Sequence, residues 1–219
     1  MKVLNPKTWP RAGAYRMYRH MGAPHMGITV ELDVTDLVAE LKDEGTSLFA
    51  GVMHHLLAAA NAVPALRQRI RLADGEDPGP DHPMPPMLEH VVEHDRCDPG
   101  FTVAVSGDRF NIATVEWSES RRRFAAAVAT ESERLRNDGR VVPFEGLRDD
   151  LVYMSCLPWL RFTSLTHPVH TDRPDTAPRI AWGRIDERGG RRTMPVNIQA
   201  HHALVDGVHL SHFFQAAAG

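Results

Sequence analysis

Ile28, Val30, Leu32 and Val34 alternate with Thr29, Glu31 and Asp33. That period of two predicts a strand with one buried face. Leu37, Val38 and Leu41 follow at helical spacing, with Thr35 or Asp36 placed to cap the turn. Residues 47–63 carry Leu48, Val52, Leu56 and Ala59 close to one face, Thr46 or Ser47 at the start and Pro64 at the end, and predict a second helix. Residues 75–87 combine glycines with five prolines and predict a loop. Phe101, Val103 and Val105 mark a strand, and Phe110, Ile112 and Ala113 another. A helix is expected from about Ser118 to Asn137, burying Phe124, Val128 and Leu135, with Gly139 just beyond it. The apolar run Leu151–Leu157 stops at Pro158, and segments 179–186 and 193–203 flank the hairpin signal Gly189-Gly190. His209–Ala218 predicts a final helix. Strands and helices do not alternate strictly, so the pattern points to an α+β fold: a two-layer sandwich with a mixed β-sheet packed by helices.

The chain has 219 residues, enough for one domain over 1–219 with a substantial core, and no internal repeat is visible. Its formal net charge is -3, so neither a nucleic-acid nor an anionic-membrane partner is expected. Arg121-Arg122-Arg123 and Arg191-Arg192 read as solvated surface. Cys97 and Cys156 have no zinc or disulfide spacing, and Cys156 lies in an apolar run. No leader-like segment and no apolar run of about 20 residues is present, so the expected location is the cytoplasm.

The chemistry concentrates in His201-His202-Ala203-Leu204-Val205-Asp206-Gly207, just before the last helix. Histidine is suited to take a proton near neutral pH, and Asp-Gly makes a turn that holds an acid at fixed distance from it. Strand alternation turns His201 to the opposite face from His202. His209 and His212 share a helix face and, with His202, form the one metal arrangement to weigh; no acidic or cysteine ligand joins them, and no metal is expected. His54-His55 reads as packing or surface, and Trp159 and Trp182 suit a core. No Ser or Cys stands in an elbow-like context, which favours direct transfer between two bound substrates over a covalent enzyme intermediate.

Trp9-Pro10-Arg11, Tyr18-Arg19-His20, the 98–105 run DPGFTVAV, Met154-Ser155-Cys156-Leu157-Pro158-Trp159 and the HHALVDG motif occur in the order found in chloramphenicol acetyltransferases. The sequence resembles that family over nearly its whole length. The resemblance implies a homotrimer with the active site at the subunit interface and acetyl-CoA as co-substrate, acetylating a hydroxyl of chloramphenicol, a small-molecule alcohol acceptor, to give antibiotic resistance. By the same resemblance His202 is the general base, Ser155 the hydroxyl that stabilises the oxyanion, and Asp206 an acid paired with Arg11. It places Tyr18, Phe110, His167, Val169 and Ala181 at the acceptor, and Trp159 and Arg184 on the CoA side.

Some positions depart from the family pattern. The 75–87 loop is longer, Ala23-Pro24-His25 replaces a more apolar segment, His167 replaces an aliphatic residue, and Ala181 replaces a threonine that helps hold a water. A same-fold acyltransferase for another natural-product or xenobiotic alcohol or amine is therefore the alternative. A third reading is a silent scaffold or a core like the dihydrolipoyl acyltransferases. The absence of a lipoyl domain and Ala/Pro linker, and the complete His202–Ser155–Asp206–Arg11 set, weigh against it.

Overall fold

The computed structural model describes residues 1–5, 7–72, 89–105, 107–138, 148–171 and 173–219. The predicted 75–87 loop and Gly139 lie outside the described residues. The principal sheet has seven strands. β2 (His25–Asp33), β10 (Arg191–His201), β8 (Arg179–Trp182), β7 (Leu151–Cys156), β5 (Asp98–Ala104) and β6 (Phe110–Thr114) lie in that order, and β9 (Asp186–Arg188) pairs with β10. β5–β7 and β7–β8 are parallel and the other pairs antiparallel, so the sheet is mixed as expected. A smaller antiparallel sheet joins β1 (Lys2–Val3), β4 (Glu89–Glu93) and β3 (Gln68–Leu72).

The register sorts the two faces of the large sheet. Phe101, Met154, Ile180, Ile198 and Ile28 form one row across five strands, and Cys156, Trp182, Val196 and Val30 form the next but one. Most of these residues are buried in one cluster with residues of α3 (Leu48–Asn61), α4 (Arg121–Asp138) and α5 (Gly207–Ala218). The opposite face carries Tyr153, Arg179 and Gln199 in one row and Ser155, Ala181, Asn197 and Thr29 in the next. Asn197 and Gln199 are nonetheless buried. One face of the sheet is thus committed to the core, while the other holds desolvated polar side chains that can bind something.

Several local details differ from the sequence pattern. Leu48, the first residue of α3, is exposed, while Val52, Leu56 and Ala59 are buried. Ser47 is the residue before α3 but makes no side-chain cap. At α2 (Thr35–Asp43) the turn is fixed by Asp33, whose Oδ1 accepts from both the Thr35 amide and hydroxyl, and not by Thr35 or Asp36 as a cap. The segment 179–186 divides at Gly183. A Cβ there would lie 2.5 Å from the Leu160 carbonyl and 2.7 Å from Pro195 Cγ, so only glycine admits the 157–162 turn against the sheet. Gly189 and Gly190 have φ of 61° and 80°, the left-handed pair a tight hairpin needs, and connect β9 to β10 as predicted.

α1 (Ala12–Tyr18), β1, β3 and β4 were not visible in the pattern. α1 buries no residue fully, and a helix without an apolar stripe leaves no periodic signal. β3 places Arg69 in the interior at 1% exposure. Its guanidinium donates to four backbone carbonyls, those of Leu66, Gln68, Asp149 and Leu151, at 2.6–3.0 Å. A charged residue in a strand reads as solvent-facing until such a set of acceptors is known.

Candidate active site

The 201–205 turn that ends β10 is built by backbone chemistry. Leu204 and Val205 both donate their amides to the His201 carbonyl at 3.0 Å, and Ala203 donates to His201 Nδ1 at 3.2 Å. The reversal brings the Val205 carbonyl to 2.8 Å from His202 Nδ1. A carbonyl only accepts, so Nδ1 carries the hydrogen and Nε2 keeps its lone pair. The His202 ring stacks on Tyr18, with centroids 3.8 Å apart and planes at 23°, and its amide donates to the Pro24 carbonyl at 2.7 Å. The imidazole is therefore fixed in both tautomer and orientation.

Arg11 clamps this turn from outside. Its Nη1 pairs with Asp206 Oδ2, and its Nη2 donates to the His202 carbonyl at 2.6 Å. Asp206 also caps α5: its Oδ1 accepts from the Val208 amide, and its own amide donates to His209 Nδ1. Burial pushes the Asp206 carboxyl up, but the Arg11 hydrogen bond and charge outweigh it and hold the group below the usual carboxylate range. His209 was missed as part of this brace, although an acid followed three residues later by a polar acceptor is the spacing of a capping box. Among the described residues no three or more His, Cys, Asp or Glu side chains gather as a metal site, and His209 is engaged with Asp206.

Tyr18 and Arg11 depend on α1, which is latched to β4. The Tyr15 hydroxyl donates to Glu89 Oε2 at 2.6 Å, and Arg19 pairs with the same carboxylate. The side chains of Arg19 and Glu89 are almost fully buried. Burial first, then the Glu89 carboxylate, pushes the Tyr15 phenol well up, so it stays a donor.

Ser155 is elsewhere. It lies on the polar face of β7, paired with Ala181, which pairs in turn with Asn197. That is two strand spacings across and five residues along from His202, about 19 Å. Ser155 and His167 line a cavity of about 400 Å³ together with Thr102, Ile112, Tyr153 and Arg179. His202 does not line it. His167 also borders a second groove with Val169, His25, Asn197 and Gln199. The His167 main chain is fixed by Gln199, which accepts from its amide at 2.9 Å and donates to its carbonyl. Burial first, then Arg179, holds the His167 ring below the ordinary histidine range, with the Asn197 side chain opposing them.

The remaining candidates divide by exposure. Ala181 is fully buried beside Ser155, while Phe110 is exposed on the edge strand β6. Trp182 is core, but Trp159 is 70% exposed. Arg184 pairs with Asp186, and its amide donates to the Leu160 carbonyl at 2.8 Å, which brings the Trp159 turn beside it. His54 packs on Trp117 and bonds the Ser118 carbonyl, and His55 bonds the Ala217 carbonyl, so both tie α3 to its surroundings. Cys156 is half-buried, and burial pushes its thiol up to about 11, which leaves it a poor nucleophile.

The family model described as chloramphenicol acetyltransferase matches residues 2–217. Chloramphenicol acetyltransferase 3 of Escherichia coli is 26% identical over 94% of this chain and 90% of its own length. The Staphylococcus aureus chloramphenicol acetyltransferase is 22% identical over 96% and 94%. A solved chloramphenicol acetyltransferase structure superposes with a TM-score of 0.77 at 23% identity, covering 99% of this chain and 97% of the other. A dihydrolipoamide acetyltransferase from Azotobacter vinelandii shares the fold at a TM-score of 0.62 and 15% identity, over 94% and 84%. With its family model matched almost from end to end, the chain belongs to the chloramphenicol acetyltransferase family.

Proposed function

We propose that this protein moves an acetyl group from acetyl-CoA to a hydroxyl of chloramphenicol, as one of three identical subunits with active sites at their interfaces, and so confers resistance to the antibiotic. The observation that carries the reading is the His202 imidazole, held by the Val205 carbonyl with Nε2 free to accept. Family membership supplies the reaction class.

His202 Nε2 takes the proton of the acceptor hydroxyl as that oxygen attacks the thioester carbonyl carbon. The Ser155 hydroxyl donates to the oxygen that becomes negative in the tetrahedral intermediate. Collapse breaks the carbon–sulfur bond, and the departing CoA thiolate takes the proton back from the imidazolium. Arg11 and Asp206 hold the base and do not exchange protons. Tyr18, Phe110, His167, Val169 and Ala181 surround the acceptor, and Trp159 and Arg184 contact CoA.

The separation of Ser155 from His202 supports the interface reading. A base and an oxyanion donor must each reach within roughly 3 Å of neighbouring atoms of one intermediate. Two groups about 19 Å apart in one subunit do not meet that need. In a cyclic trimer, His202 of one subunit faces the Ser155 cavity of the next, and three equivalent sites result.

A second reading keeps the chemistry and changes the alcohol. It is favoured by the Ser155 cavity wall, where His167 brings an imidazole and the Arg179–Asp175 ion pair is buried. Release of free thiol from acetyl-CoA, with and without chloramphenicol, decides between them. Chloramphenicol-dependent release is the expected result. CoA binding without such release, and turnover of another alcohol, would transfer the assignment to the second reading.

A further inference from the structure

His201 has no part in the reaction just described, yet the turn that presents His202 is assembled on it. It ends β10 at 4% exposure and pairs in register with His25 of β2. The two rings meet edge to face, with centroids 5.1 Å apart and planes at 72°. His25 is itself fixed, since its Nε2 bonds the Asp175 carbonyl at 2.7 Å. The His201 ring is thus lodged in a buried, polar wall of the sheet and has one orientation.

Both ends of His201 hold the turn. Its carbonyl accepts the Leu204 and Val205 amides, and its Nδ1 accepts the Ala203 amide. Three consecutive amides after His202 therefore point back at one residue. Were the Nδ1 acceptor removed, the Ala203 amide would be buried without a partner, and the loss would be recovered only by moving the turn. Any movement carries the Val205 carbonyl, the group that keeps the hydrogen on His202 Nδ1.

We propose that His201 is a positioning residue: by accepting the Ala203 amide it sets the 201–205 turn, and through the Val205 carbonyl it fixes His202 in the tautomer with Nε2 unprotonated. The inference rests on the reading of His202 as the base. His201 can do this only while neutral. Burial, chiefly, and the neighbouring His25 hold it down to about 4, against the opposing charge of Asp175, while His202 and Arg19 act in the same direction as His25. It remains an acceptor throughout the neutral range.

The test compares His201→Leu, His201→Asn and His201→Gln in the intact protein. Asparagine places its Oδ1 close to where Nδ1 stands, leucine supplies volume without an acceptor, and glutamine carries its acceptor one carbon too far. The direct readout is the ¹⁵N spectrum of the His202 ring, which distinguishes the tautomers without any substrate. Wild type and His201→Asn are expected to show a single tautomer protonated at Nδ1, and His201→Leu a mixture. In turnover, His201→Leu should lose roughly 10²-fold in kcat with KM for acetyl-CoA little changed, because the base is misplaced and not the binding site. His201→Asn should recover most of that loss. If His201→Leu does not fold, His201→Gln is expected to show the same mixture and the same kcat loss. An unchanged His202 spectrum in a folded Leu or Gln variant would overturn the proposal. Failure of wild type to transfer acetyl groups, with the spectra behaving as expected, would instead reject the proposed function and leave the role of His201 in the turn intact.

Discussion

Replacing His202 with alanine is expected to lower acceptor-dependent CoA release by about 10²- to 10⁴-fold, the range that a positioned general base contributes. The fold should survive. Among the described residues the His202 side chain makes one hydrogen bond, to Val205, and one stacking contact, with Tyr18. The backbone features around it persist without the imidazole: the amide to Pro24, the carbonyl to Arg11, and the turn closed on His201. Arg11 also keeps its pair with Asp206. The kinetic loss should therefore fall on kcat, with acetyl-CoA affinity and the melting temperature near wild type. Turnover close to wild type would remove His202 from the mechanism.

Replacing Ser155 with alanine is expected to lower kcat by about 10²- to 10³-fold, the usual cost of one oxyanion donor. The substitution removes a hydroxyl from a half-exposed position on β7 beside the fully buried Ala181, so no core volume is lost. Steady-state rates at saturating acetyl-CoA and chloramphenicol measure it. A Ser155→Ala enzyme within a few-fold of wild type would move the oxyanion contact to another donor in the cavity, of which Thr102 and Tyr153 are the nearest in kind.

The elements carrying long apolar patterns were legible in the sequence, and those resting on polar contacts were not. β2, α3 and α4 bury periodic faces and β10 follows a Gly-Gly hairpin signal, so local pattern predicts them. β3 and β4 hold charged residues whose partners come from far along the chain, as with Arg69 and the Asp149 and Leu151 carbonyls, and Glu89 with Tyr15 and Arg19. α1 is short, buries no residue fully and is fastened by the Arg19–Glu89 pair across 70 residues, a contact that no local window contains.

The same division runs through the site. His202, Asp206 and Arg11 could be named because the motif and its order along the chain carry them, and the structure brings all three together. The groups that orient them are mostly backbone atoms, the carbonyls of Val205 and Pro24, whose identity the sequence does not encode. Ser155 was named from its motif, but its distance from His202 follows only from strand register: Ser155 to Ala181 to Asn197, then five residues along β10.

That distance makes the shared active site the central claim, and mixing two inactive variants tests it most directly. His202→Ala and Ser155→Ala subunits carrying different tags are co-expressed, and oligomers bearing both tags are purified and assayed. If His202 of one subunit works with Ser155 of the next, every cyclic trimer carrying both tags has one of its three interfaces with both intact groups, and activity returns to about a third of wild type. Doubly tagged oligomers no more active than either parent variant would contradict the account and require both groups to act from within one chain.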